Sequence, residues 1–120
     1  MQDEALIKAM DAFGGGLGSQ GEVCGAIIGG LSVIGLMFGR SKPDGEKDRR
    51  MRQYSDTFME RFKNEVANGK ILCRDIAQCD WRDQDQVKRF LDSGKRKECE
   101  ILTGKTAKIV GEILGQSRIG

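Results

Sequence analysis

Apolar residues recur at helical spacing along most of the chain, and glycines or polar clusters interrupt them at intervals. Ala5, Leu6, Ala9, Met10 and Phe13 fall three or four positions apart, which predicts a helix over 2–13. Gly14-Gly15-Gly16 ends it, because a glycine backbone turns freely. Residues 21–39 follow as a second helix, uncharged from Val23 to Phe38, with Gly21, Gly25 and Gly29 spaced to share one face. Such a strip lets another backbone approach closely. The uncharged run falls short of the ~20 residues a bilayer asks for. Glu22 and Arg40 bracket it tightly and no aromatic belt flanks it, so a fully buried central helix is expected rather than a membrane span.

The second half repeats the pattern. Residues 40–50 are a polar linker holding the only proline, Pro43. Met51, Tyr54, Phe58, Phe62 and Val66 mark one face of a long amphipathic helix over 47–67, and its charged residues form the solvated face. Asn68-Gly69 is a C-terminal stop. A short helix over 70–79 bears Cys73 at its start. Asp80 to Asp83 break the pattern, and Val87, Phe90 and Leu91 suggest another short helix over 83–93. The last helix, 97–115, carries Cys99, Leu102, Thr106, Ile109, Val110, Ile113 and Leu114. No stretch alternates convincingly with period two and no hairpin turn is present. The expected fold is all-α: a compact bundle of four to five helices around the Gly-rich 21–39 helix, in one domain over 1–120.

Composition narrows the chemistry. A chain of 120 residues can bury enough surface to fold without covalent staples. Twenty Lys+Arg against 18 Asp+Glu leave a net charge of +2, which gives little support to a nucleic-acid binder. There is no histidine, so Ser-His-Asp and Cys-His sites are excluded, and so are the usual haem and zinc nitrogen ligands. The glycines of 14–21 lack the Gly-Lys-Ser/Thr ending of a phosphate loop. Without strands, a dinucleotide fold is unsupported.

Four cysteines remain: Cys24, Cys73, Cys79 and Cys99. The start Met1-Gln2-Asp3-Glu4 is acidic where a secretory signal would be basic, so a cytoplasmic location is expected. Structural disulfides are uncommon there, which leaves core thiols, a redox pair or a metal site. No pair has C-x-x-C spacing, and a continuous helix would hold Cys73 and Cys79 too far apart to bridge. Pairing must therefore join distant segments. Cys24 is the leading reactive thiol. Gly25 beside it leaves room for a partner thiol or a metal, and the first turns of a helix favour thiolate. Arg74 follows Cys73, and Lys95, Arg96 and Lys97 precede Cys99, which would favour thiolate at both. Cys79 reads as a small core hydrophobe, and Trp81 and Tyr54 as packing or surface-anchor residues.

The stretch GGGLGSQGEVCGAIIGGLSVIGLMFG, residues 14–39, resembles the signature of the redox-active C-GCAxxG-C-C family. Cys24-Gly25-Ala26-Ile27-Ile28-Gly29 matches its core, and Gly14, Gly15, Gly16, Gly18 and Gly21 match its loop. Cys73 in ILCRDI resembles the family's next cysteine, and Cys99 opens the last amphipathic helix as its final one does. The family's first cysteine lies in the opening helix, and this chain has none before Cys24. Cys79 lies outside the pattern. Either it replaces the missing thiol in space or the site has three cysteines.

The resemblance implies redox chemistry at Cys24, Cys73 and Cys99, with Gly25 and Gly29 as cofactor-binding positions. Three functions stay open: dithiol/disulfide electron transfer, an iron–sulfur or other metal site on Cys24, Cys73, Cys79 and Cys99, and a non-catalytic helical interaction module. The cofactor is accordingly none or an iron–sulfur cluster, with haem excluded. The expected partner is another redox protein, with a homodimer as an alternative and neither nucleic acid nor membrane expected.

Overall fold

Three of the helices begin where an aspartate side chain satisfies free backbone N–H groups. In a computed structural model, which describes residues 3–119 and side chains as far as Gly115, Asp3 accepts from the Leu6 N–H at 3.2 Å and opens α1, Glu4–Asp11. Asp48 caps α3, Arg49–Arg61, by accepting from Arg50 N–H at 2.9 Å. Asp83 caps α5, Gln84–Asp92, through the N–H groups of Asp85 and Gln86. Between these lie α2, Gly25–Phe38, and α4, Cys73–Ala77, and the chain ends in α6, Lys95–Ile119. Among the described residues there are six α-helices and no strand, only an isolated antiparallel bridge between Val23 and Leu72. The all-α expectation holds.

The core forms where α2, α3 and α6 meet. Ile27, Ile34 and Phe38 of α2 pack with Phe58 of α3, with Phe62, and with Ile109, Val110 and Ile113 of α6. Each fully buried side chain of this size contributes roughly 1.5–3 kcal/mol. Beyond α3 the helix widens into a π-type turn, Phe62–Val66, and stops at Asn68 and Gly69, both with positive φ. Arg61 ties this end to α6: it meets Glu65 at 2.7 Å and Glu112 at 3.1 Å. The paired guanidinium holds the Glu65 carboxyl below its ordinary range.

The Gly-rich helix departs from expectation in three respects. It starts at Gly25 instead of Gly21, because residues 21–24 give their backbone groups to residues 71–74. It is buried along one face instead of all round, and Val33, Leu36 and Met37 stay exposed at 39%, 53% and 51%. Of the predicted strip, Gly25 does lie against another backbone, where an added Cβ would come 3.3 Å from the Phe13 carbonyl oxygen, but the tightest approach is at Gly30, which shares the buried face with Ile27 and Ile34. A Cβ there would collide with the Phe58 ring, whereas one on Gly29 would meet nothing within 4 Å. The short helix predicted over 70–79 ends at Ala77, since Gln78 turns left-handed at φ 52°, and Cys79 leaves it.

Candidate functional site

The site is assembled by a loop that only a glycine-rich sequence follows easily. Between α1 and α2 the backbone has positive φ at Gly15, Gly16, Leu17, Gly18, Ser19 and Gly21. Gly16 is the tightest point. At φ 75°, an added Cβ would lie 2.6 Å from the Cys73 Cβ and 2.7 Å from the Glu22 N and O. The bare backbone of Gly16 is therefore what lets this loop close over Cys73.

The loop then runs antiparallel to the start of α4. Cys73 N–H donates to Glu22 O at 2.6 Å, Cys24 N–H to Ile71 O at 2.8 Å, and Arg74 N–H to Gly21 O at 3.2 Å. Val23 faces Leu72 across this bridge. Side chains alternate along paired extended segments, so Cys24 and Cys73 emerge on the same face, opposite to Val23 and Leu72, as diagonal neighbours. Each then leads into a helix: Cys24 immediately precedes α2, and Cys73 is the first residue of α4.

That face looks into a cavity of about 1020 Å³. Cys24, Cys73 and Cys99 all stand in its wall, with Gly25 and Gly29 of α2 on one side and α6 on another. Met10 and Phe13, from the stretch where the family pattern puts its first cysteine, also line the cavity. Cys79 is not in the wall. It is 2% exposed, in a second small core with Ala77 and Phe90, and Cys73, Cys99, Trp81 and Val87 pack against that core. It thus lies beneath the cavity, near Cys73 and Cys99, as the core residue its neighbourhood suggested. All four thiols are free. Among the described residues, no group of three or more His, Cys, Asp or Glu is placed to hold a metal ion.

Trp81 packs as the sequence suggested, and it also has a contact with a thiol that the sequence did not show. Its indole N–H donates to Cys73 Sγ at 3.3 Å, and its ring stacks edge-on against Phe90 at 4.9 Å. The one available signal was that the only tryptophan follows a cysteine pair in a helix break. Of the cations expected to favour thiolates, Arg96 shares the cavity wall with Cys99, while Lys95 donates to Gln78 Oε1 at 2.9 Å. Arg74 reaches toward Glu22 at 3.8 Å. At Cys24 burial pushes the thiol pKa up, outweighing the N–H groups of Ala26 and Ile27 at the start of α2, and the nearby Cys73 adds to the rise. Burial also raises Cys79 and Cys99, again with Cys73 as the next contribution.

These shifts fix a pH dependence. Three thiols hold their protons in the folded protein beyond the ordinary value of 9.0. Below that pH both folded and unfolded chains are protonated there, and the groups leave stability unchanged. Above it the unfolded chain ionises first, so stability falls as pH rises through the folded-state values. Urea midpoints measured on either side of pH 9.0 should drop on the alkaline side, and a flat profile would contradict the burial of these thiols.

Fold and site together define a small all-α protein that sets three of its four cysteines in the wall of one apolar cavity. The family model described as "Putative redox-active protein (C_GCAxxG_C_C)" matches residues 1–113, and the chain belongs to that family. No curated protein and no solved structure matches it. Among the described residues no helix is long and apolar enough to cross a membrane.

Proposed function

We propose that this chain is a dithiol–disulfide redox protein whose reversible pair is Cys24 and Cys73. The observation that carries the reading is their emergence on one face of the bridge between residues 21–24 and 71–74. Diagonal neighbours lie roughly 7–8 Å apart, and a disulfide spans about 4.4–6.8 Å between Cα atoms. Pairing therefore asks for a small closing movement of the two segments. The glycine loop next to Cys24 is the part of the backbone suited to absorb it.

In the reaction, both S–H bonds break and one S–S bond forms. Two electrons pass to a disulfide of a partner protein, which takes up the two protons and leaves as a dithiol. Attack by Cys73 or Cys24 proceeds through a mixed disulfide that the other thiol resolves. Trp81 keeps the Cys73 sulfur in position at the cavity wall. Cys99, in the same wall, is the third thiol in reach of this centre.

The test is a thiol count. The reduced protein is treated with bis(2-hydroxyethyl) disulfide, alkylated and mapped by mass spectrometry. The expected product has Cys24 linked to Cys73, with Cys79 and Cys99 alkylated. Four alkylated cysteines after oxidation, or stoichiometric iron or zinc in the protein as purified, would overturn the reading.

A further inference from the structure

The cavity is larger than a dithiol needs. Its volume of about 1020 Å³ is at the upper end of small-molecule sites, which run to roughly 300–1,000 Å³. Its wall is mostly apolar, built from aromatic rings such as Phe13, Trp81 and Phe90 and aliphatic side chains such as Val33 and Val110. The charged groups in the wall, Asp11 and Arg96, are both exposed and so belong to its rim.

Two helical glycines shape the cavity wall. Gly29 of α2 and Gly111 of α6 both line the cavity, and a Cβ on either would meet nothing within 4 Å. Each costs about 1 kcal/mol in a helix relative to alanine. No neighbouring protein atom requires either of them to be glycine, unlike Gly30 under the Phe58 ring. Gly35 and Gly104, outside the cavity wall, are equally open; at Gly29 and Gly111 the bare backbone has the added effect of leaving the cavity wider.

We infer that this cavity admits a flat, apolar two-electron acceptor of the quinone class, which the Cys24–Cys73 dithiol reduces. The inference rests on the dithiol reading and names the substrate of that site. The chemistry balances. Two S–H bonds break and one S–S bond forms, and both electrons and both protons end on the two carbonyl oxygens, giving a hydroquinone. An apolar wall suits such a molecule better than a charged small disulfide, whose charges would be left without partners inside it.

The probe is duroquinone, tetramethyl-1,4-benzoquinone, whose substituted ring leaves no free position for thiol addition. Trp81 is the only tryptophan and lines the cavity, so its fluorescence reports occupancy. With anaerobic, reduced protein, the expected result is saturable quenching and one hydroquinone per chain, with loss of the Cys24 and Cys73 thiols. Cys24→Ser should keep the quenching and lose the reduction. Gly29→Leu should fill the space and weaken quenching at least tenfold. Gly111→Leu, from the opposite helix, serves if the first variant fails to fold by circular dichroism. Absence of saturable quenching overturns the inference, as do wild-type quenching and reduction in both folded leucine variants. A concentration-dependent dimer that shields Trp81 would also overturn it, in favour of a second copy as the occupant. Saturable quenching in a protein whose thiols pair with neither duroquinone nor bis(2-hydroxyethyl) disulfide overturns the dithiol reading and the reduction step, and leaves the binding site standing.

Discussion

Serine at position 24 or 73 should reduce oxidant-driven disulfide formation to background, while serine at position 79 should leave the Cys24–Cys73 link intact. The contrast follows from placement. Cys24 and Cys73 are the thiols that the backbone bridge sets on one face, and each is half-buried at the cavity wall. Cys79 is 2% exposed beneath that wall, held in a small core with Ala77 and Phe90 and outside the cavity lining. Its replacement should be felt in stability instead, since a buried hydroxyl without a partner costs about 1–3 kcal/mol. Peptide mapping of alkylated protein reads the first effect and urea denaturation the second. A Cys24→Ser protein that still forms a Cys73–Cys79 or Cys73–Cys99 link at the native rate would remove Cys24 from the centre. The spread of outcomes is wide because the pair acts as a unit: one missing sulfur leaves nothing for the other to bond.

Gly30→Ala should destabilise the fold, and Gly35→Ala should not, although both glycines lie in the same helix. At Gly30 an added methyl would strike the Phe58 ring, which is itself 0% exposed and has no free space to move into. Overpacking of this kind costs roughly 1–3 kcal/mol. It outweighs the helix-propensity gain of about 1 kcal/mol that alanine brings. At Gly35 a Cβ meets nothing within 4 Å, so the propensity gain remains and the variant should be as stable as the parent or more so. Urea midpoints measure both. Equal stability of the two variants would mean that the Phe58 ring does not rest on the backbone of α2.

Much of the architecture was legible because helix formation is read over a few residues at a time. The Phe58, Phe62 and Val66 spacing marked a buried face, and Asn68-Gly69 marked its end; both were found in place. The start of α2 was misread for a physical reason. Gly21 to Cys24 can continue a helix as far as local pattern goes, yet the backbone groups there bond to residues 71–74. That competition is between distant segments and leaves no periodic trace. The glycine strip at 21, 25 and 29 was likewise visible as a pattern. That the tightest contact falls at Gly30 was not, since it depends on how α3 lies across α2.

The same division holds for the site. By itself the sequence determined an all-α chain without histidine chemistry, whose reactive groups are cysteines and whose Cys24 motif follows a glycine loop. These are matters of residue identity and short-range spacing. Only the tertiary structure decided that Cys24 and Cys73 flank one backbone bridge and line one cavity, that Cys79 lies underneath, and that Trp81 donates to the Cys73 sulfur. The reason is that the pairing runs through main-chain N–H and C=O groups, which every residue but proline carries in full. Side-chain identity could mark the loop as able to bend; what it bends onto was settled by packing.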